Sequence, residues 1–328
     1  MAKKVELTRE QLLAKWKKNQ PEFMASLSES EIEDMYRRYD MCAFWPVEYV
    51  VFDFRNKTDE ECNEYLTNDV VKNTLLREEG KEETKILRRK FACYRKLKPY
   101  YKRAVVRSSN ESAFRRFCKK HKQFICKPGR GTGGKGILFG DLAKEGLTAD
   151  QFREKYLSEG SWTIEELIDQ DYEMAKFHPE SINTVRITTV RKGDQVTVLF
   201  ALLRLGRGSN KVDNTSQGGL AADIDTDTGM ITSGALDHNT GEKFAEHPDT
   251  HIALQGQAVP NWDELVATVK SAALEMDQAF IGWDMALSTK GWVIVEANWR
   301  PSVRTTQLLK GEGIRRKAEE ATGWKFYL

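Results

Sequence analysis

Along the first ninety residues the apolar positions recur with the period of a helix. Leu12, Leu13 and Trp16 share one face, as do Ile32, Met35, Tyr36 and Tyr39, the spacing of amphipathic helices. Thr8 with Gln11, Ser28 with Glu31, and Thr58 with Glu61 stand ahead of such positions, each pair spaced as a capping box. Pro46 interrupts the second pattern. A basic helix is predicted from about Thr84 to Lys98, with Pro99 ending it because proline cannot donate to the helical ladder. Asn110 is a good N-cap for a helix over 111–121 that turns Phe114, Phe117 and Cys118 inward.

The period then changes. Phe124 to Lys127 and Ile137 to Phe139 read as strands, Thr148 to Leu157 as a capped helix, and Trp162 to Ile168 as a strand. From Ser181 to Leu205 two β-rich runs are broken by Lys192-Gly193-Asp194, a hairpin signal. Another hairpin is predicted around Asp227-Thr228-Gly229, and Trp262 to Met276 is an amphipathic helix. Ile281 to Leu287 and Trp292 to Glu296 are strands joined by Ser288-Thr289-Lys290-Gly291, and a basic helix follows Gly313. The pattern is that of an α+β chain.

Composition narrows the picture. The chain has 328 residues, 40% hydrophobic and 30% charged, as for a water-facing globular protein of two domains or one composite fold. The formal net charge of +2 hides an asymmetry. From Lys81 to Lys127 only Glu82, Glu83 and Glu111 oppose the lysines and arginines, whereas the region after Asp213 is more acidic. A basic half facing an acidic half suits a metal–nucleotide cleft, and it also suits nucleic acid. The basic run lacks interleaved surface aromatics beyond Tyr94, Tyr100 and Tyr101, so a solvated face or electrostatic guidance of a nucleotide explains it better. Five scattered cysteines without a CxxC pair exclude a zinc ribbon and a disulfide scaffold. Free thiols, no apolar signal core at the start and no membrane-length apolar run lead to the expectation of a cytoplasmic protein without a membrane span.

The segment Lys127-Pro-Gly-Arg-Gly-Thr-Gly-Gly-Lys135-Gly136 is the strongest single signal. Clustered glycines, among them Gly131, Gly133 and Gly134, let backbone N–H groups converge on one anion, and Lys127 and Lys135 add charge. It is neither a Walker A loop nor a GxGxxG fingerprint. Lying between two strands, it reads as a flap over a triphosphate; a flexible hairpin tip is the bland alternative.

The second signal is Ile281-Gly-Trp-Asp284, a turn, then Ile294-Val-Glu296-Ala-Asn298. Glu296 and Asn298, two apart in a strand, project to one side. A three-residue turn Thr289-Lys290-Gly291 with Gly291 left-handed sets Asp284 opposite Glu296. Two carboxylates and an amide oxygen are hard ligands that suit Mg²⁺, with Mn²⁺ possible; an ordinary polar hairpin face is the alternative.

With loop and carboxylates both present, the chain resembles the ATP-grasp superfamily, and within it the sugar-transfer-associated proteins found with polysaccharide synthesis. The resemblance runs from about Lys85 to the C-terminus. It implies an ATP-grasp fold, two α+β subdomains clasping ATP, preceded by a helical region: 1–83 helical, 84–168 the first subdomain with the glycine loop, 169–328 the second with the metal site. It further implies that Lys90 and Lys127 reach the phosphates and that Trp162-Thr-Ile-Glu165-Glu166-Leu167-Ile168 is an edge-type hinge strand whose backbone reads adenine. Glu173, with Asp171 as rival, would take the ribose. Arg186 of Asn183-Thr-Val-Arg would neutralise the transferred phosphoryl group, and Asp284, Glu296 and Asn298 would hold magnesium. The turn from Asp213 through Asn214 to Gly218 and Gly219 would face the substrate. One departure is Trp299-Arg300-Pro301-Ser302-Val303-Arg304 after Asn298, where small residues are usual; Arg300 and Arg304 point to an anionic acceptor.

The implied activity is a carboxylate–amine ligase working through an acylphosphate, on an anionic small-molecule or glycan-linked acceptor such as a uronic acid, with an amine donor. A kinase on the same fold, or a basic nucleic-acid-binding protein, are the alternatives. Asp223-Ile-Asp225-Thr-Asp227-Thr-Gly229 imitates an EF-hand, but its glycine is one place late, so a turn explains it. His247 and His251 have the spacing of zinc ligands, yet Pro248 stands between them, and a loop explains them.

Overall fold

The computed structural model describes residues 7–79, 84–129 and 136–327, for Cys42 the backbone alone. The chain divides into two compact units, Met1–Gly80 with Arg300–Leu328, and Lys81–Trp299. No described helix is long and apolar enough to cross a membrane.

The first unit is helical. All three predicted capping boxes form, on the helices Arg9–Asn19, Glu29–Cys42 and Asp59–Asn63. The second of these ends at Ala43, left-handed at φ 50, and Pro46 then opens the helix Pro46–Val51, where its missing N–H costs nothing. Trp16, Phe44, Tyr49, Phe54 and Tyr65 are buried at the centre. The C-terminal residues belong here and not to the second subdomain expected for 169–328. The reason is polar. The Gln307 amide accepts from Leu66 N and donates to Leu66 O, both at 2.8 Å. The Arg315 guanidinium donates to the carbonyls of Asn63 and Tyr65. Gly313 lies so close to the backbone at Glu64 that a Cβ would meet its carbonyl oxygen.

The second unit holds two antiparallel sheets. The four-stranded sheet runs β1-β4-β2-β3, with β1 Val105–Arg107, β2 Gln123–Pro128, β3 Leu138–Asp141 and β4 Trp162–Glu166. Phe114, Phe117, Phe124, Phe152 and Ile164 form its core with the helices Glu111–Lys120 and Ala149–Leu157. The predicted basic helix is shorter, Lys90–Lys96, and Pro99 sits in the first turn of the next, Lys98–Tyr101, rather than ending one. The seven-stranded sheet runs β11-β10-β5-β6-β7-β8-β9. Its central strands are β5 Thr184–Lys192, β6 Gln195–Leu205, β7 Leu220–Ile224, β10 Phe280–Ser288 and β11 Gly291–Asn298. β8 and β9 are the two-residue strands Ala235–Leu236 and Lys243–Phe244. Leu265, Val269, Ala272 and Ala273 of the helix Trp262–Leu274 are buried in the core that includes Ile187 and Leu203 of the sheet.

The EF-hand-like segment is a turn, since Asp225 Oδ1 accepts from Thr228 N at 2.8 Å and Thr228 Oγ1 at 2.7 Å. His247 is buried and its Nε2 lies 2.8 Å from Gly206 O, while His251 lies beside Glu246.

Glu48 in the helical unit is buried, and its carboxylate accepts from Trp45 N at 2.9 Å. Burial pushes its pKa up to about 7 against the opposing backbone donors and Arg304. A folded-state pKa above the unfolded one means that the folded state binds the extra proton. That contribution is complete below the ordinary glutamate pKa and is lost as pH rises through about 7. Denaturant titrations between pH 5 and 8 are expected to show the parent losing on the order of 3 kcal/mol, whereas Glu48→Gln stays nearly flat. A parent that gains stability over this window would refute the assignment.

Candidate functional site

The site begins with the register of one hairpin. Ser288 pairs with Gly291, so the turn is the two residues Thr289-Lys290 rather than the three expected, with Gly291 left-handed at φ 84. An unbroken register would then put Val295 opposite Asp284. A β-bulge between Asp284 and Met285 shifts the count by one, and Glu296 faces Asp284 after all. A bulge inserts one unpaired residue and restores the alternation one place later; here that residue is Val295. On the other side Asp284 pairs with Arg186 of β5. Arg186, Asp284 and Glu296 therefore stand in one row across three strands, with Asn298 one step along the same strand face.

These groups are tightly coupled. Arg186 grips Asp284 through Nε and through Nη2 at 2.8 Å, and Arg204 Nη1 reaches the same carboxylate at 3.0 Å. Burial alone would raise the Asp284 pKa, but Arg186 and Arg204 outweigh it and bring it down to about 2. Arg204 also donates to Asp213 Oδ1 at 3.4 Å, and Asp213 accepts from the Thr184 hydroxyl. For Asp213 burial wins, and its pKa is raised. Glu296 pairs with Lys90 Nζ at 2.5 Å, and Asn298 Nδ2 donates to Asp284 Oδ2 at 3.3 Å.

A second polar cluster lies between the two sheets. Glu165 of β4 is buried, and its Oε2 accepts from Arg103 Nη2 at 2.5 Å and from Lys127 Nζ at 2.9 Å. Arg103 also donates to Ile294 O at 2.6 Å, and Lys127 to Val295 O at 3.3 Å. Both carbonyls lie on β11, at and beside the bulge. Burial would raise the Glu165 pKa, but Lys127 and Arg103 hold it below the usual glutamate value.

Most of these groups line one cleft of about 410 Å³, but Arg186 and Asn298 are not among its lining residues. Lys90, Lys127, Glu165, Asp284 and Glu296 form its polar wall, and Ile125, Ile137, Phe139, Leu167, Ile168 and Ile182 its apolar one. Glu166 and Asn214 line it as well. β4 is not an edge strand as expected, for β1 and β2 pair with it on either side. Strand pairing stops after Glu166, and Leu167 and Ile168 line the cleft beyond it. Glu173 is not among the lining residues, and its carboxylate pairs with Lys176 at 2.7 Å. Gln170 and Glu180 do line the cleft. Gln170 Oε1 accepts from Asn183 N at 2.6 Å, while its buried Nε2 has no hydrogen-bond partner among the described residues.

Gly218 is left-handed at φ 88, and a Cβ on Gly219 would lie 2.6 Å from Asp213 O. Both glycines thus have a backbone reason for their identity, that of shaping the loop that presents Asp213 and Asn214. Gly131, Gly133, Gly134 and Lys135 lie outside the described residues. Arg300 and Arg304 fall in the helical unit. β11 ends at Asn298 and the chain bends at Trp299 and Arg300, so strand alternation does not carry on to Arg300.

The donor set fits a hard divalent cation. Asp284, Glu296 and Asn298 offer oxygen donors, as Mg²⁺ or Mn²⁺ requires. Among the described residues no group of three or more His, Cys, Asp or Glu side chains could hold a metal ion by itself.

Arg103, Arg204 and Gln170 were not among the site residues expected from the sequence, and Asp213 was expected only as part of the substrate-facing turn. Arg204 did leave a signal, as the one charge in the apolar run Val198-Leu-Phe-Ala-Leu-Leu-Arg204-Leu. Arg103 and Gln170 left none, because each acts through a partner distant in sequence.

The model of the sugar-transfer associated ATP-grasp family matches residues 83–322. No curated protein matches the chain. Solved structures similar to it include the ATP-grasp ligase PsnB complexed with minimal precursor, at 18% identity and TM-score 0.41 over 70% of this chain and 57% of that one. Phosphoribosylamine–glycine ligase from Thermotoga maritima matches at 16% identity and TM-score 0.47, over 75% and 56%. D-alanyl-alanine synthetase A from Vibrio cholerae matches at 9% and 0.43, over 75% and 63%. In each of these the match spans less than two thirds of the solved chain.

The arginine–aspartate row makes a stability prediction. A carboxylate whose folded pKa is depressed to about 2 contributes stability that is fully present above the ordinary aspartate pKa and lost as pH falls toward 2. Asp284→Asn leaves Arg186 and Arg204 with one fewer counter-charge. It is expected to lower unfolding free energy at pH 7 by about 3 kcal/mol and to flatten the acid limb of the stability profile below pH 4. An Asn variant as stable as the parent at pH 7 would contradict the pairing.

Proposed function

The chain belongs to the sugar-transfer associated ATP-grasp family, and on that premise we propose that it is an ATP-dependent carboxylate–amine ligase. The observation that carries this reading is that Asp284 and Glu296 line the same cleft as the Lys127–Glu165 pair, with Arg186 paired to Asp284 in the neighbouring strand. The base lies against the apolar wall beside Leu167 and Ile168. Lys127 and Lys90, each held to a carboxylate in the free protein, turn to the phosphates. Arg186 neutralises charge on the phosphoryl group as it is transferred. Asp284, Glu296 and Asn298 would hold Mg²⁺, which when bound would neutralise phosphate charge. The acceptor carboxylate attacks the terminal phosphorus and ADP leaves. An amine then attacks the acylphosphate carbonyl, and phosphate departs.

This chemistry requires positioning and charge rather than a nucleophilic side chain. Accordingly, Cys93 and Cys118 are buried thiols whose pKa burial pushes up to about 12. His178 lies against Ser181 and Gly208 O, and His247 against Gly206 O, so neither is poised to carry a phosphoryl group. The acceptor we propose is an anionic sugar or a glycan-linked acid, in keeping with the family's sugar-transfer association. Direct phosphorylation of a hydroxyl is the second reading, since the same row of charges serves it equally. Nucleic-acid binding would leave the cleft without a role.

Mg·ATP is expected to stabilise the protein by about 2.7 kcal/mol at a hundredfold excess over Kd, with ATP in EDTA giving only a small part of that shift. An unchanged melting temperature at millimolar Mg·ATP would overturn the reading. Steady ADP release is expected only when an acid and an amine are supplied together; release with a hydroxyl acceptor alone would favour the kinase. Calorimetry on Lys127→Ala is expected to show at least tenfold weaker ATP binding, a loss of about 1.4 kcal/mol or more, and Lys135→Ala a smaller loss.

A further inference from the structure

We propose that Arg103 is a positioning residue whose task is to make Lys127 exchangeable, so that this lysine can leave Glu165 for a nucleotide phosphate. The inference rests on the nucleotide reading of the cleft. It starts from an inequality between two cations on one oxygen. Lys127 makes two contacts there, to Glu165 Oε2 at 2.9 Å and Val295 O at 3.3 Å. Arg103 makes five. It reaches Glu165 Oε2 through Nε at 3.1 Å and Nη2 at 2.5 Å, and Ile294 O at 2.6 Å and Tyr101 O at 3.3 Å through Nη1. Its guanidinium also lies 4.7 Å from the centre of the Tyr101 ring.

Both ends of the Arg103–Glu165 pair are only 4% exposed. If Lys127 alone neutralised Glu165, its departure would leave a buried carboxylate without a counter-charge, at a cost of several kcal/mol. That cost would be subtracted from nucleotide binding. With Arg103 in place the carboxylate stays paired, and Lys127 exchanges one anionic partner for another. The planar fork suits this task, because it binds the carboxylate and a backbone carbonyl at once and is charged at every working pH. Lysine in the same place would lose the fork but keep the charge, and it is the charge that keeps Glu165 paired when Lys127 leaves.

The test is nucleotide affinity by calorimetry with Mg·ATP, alongside thermal unfolding of the same nucleotide-free proteins. Arg103→Met is expected to weaken Mg·ATP binding about tenfold or more, because Lys127 becomes the sole partner of Glu165. The double variant Arg103→Met/Glu165→Gln removes the carboxylate that traps the lysine and is expected to regain affinity to within about threefold of the parent. A merely structural arginine would lower the melting temperature without that rescue. Wild-type affinity in Arg103→Met, or no recovery in the double variant, overturns the proposal. Should Arg103→Met not fold, Arg103→Lys replaces it: near-parental affinity is expected, and a tenfold loss overturns the idea. A parent protein that fails to bind Mg·ATP would instead refute the nucleotide reading itself.

Discussion

One carboxylate oxygen, Glu165 Oε2, receives both Arg103 and Lys127, and through them it ties the two sheets of the larger unit together. Glu165 belongs to the four-stranded sheet. The same two cations reach across to the carbonyls of Ile294 and Val295 on the edge of the seven-stranded sheet. Edge strands carry unpaired backbone acceptors that must find donors when buried. Here the donors are cations already committed to a buried anion. Each component would be costly alone, since an unpaired buried charge or carbonyl loses its hydration without return. Together they close a network that also forms the floor of the cleft.

The bulge at Val295 makes this possible and sets the chemistry beside it. It puts Glu296 on the same side as Asp284, completing the row with Arg186. The row is neutralised internally, Asp284 by two arginines and Glu296 by Lys90. A divalent cation arriving alone must displace those cations, and a polyphosphate arriving alone must draw them from their carboxylates. Arriving together, the two let every charge exchange partners without any being stranded. On the proposed function, nucleotide and metal are therefore expected to bind cooperatively.

Much of this was legible in the sequence, and the boundary is physical. Local rules identified local features: the capping boxes at Thr8, Ser28 and Thr58, the capped helix from Thr148, the turn at Gly193, and the left-handed Gly291. Alternation within a strand placed Glu296 and Asn298 on one face. The facing pair Asp284–Glu296 was expected through a longer turn, and it is reached instead by a shorter turn and a bulge; both add one residue to β11, and sequence alone does not say where. What could not be read was pairing at a distance. That β4 lies inside its sheet, that Arg103 meets Glu165, and that Gln307 and Arg315 bind the C-terminal segment to residues 63–66 all depend on contacts between remote segments. Glu173 was taken from the resemblance, and its side chain pairs with Lys176.

The most direct test of the exchange of charges is a crystal structure with Mg²⁺ and a non-hydrolysable ATP analogue. Lys127 Nζ is predicted to have left Glu165 for a phosphate oxygen, with Glu165 still bound by Arg103 and with Asp284 and Glu296 at the metal. A nucleotide bound in this cleft with Lys127 still on Glu165, or a nucleotide bound elsewhere, would contradict it.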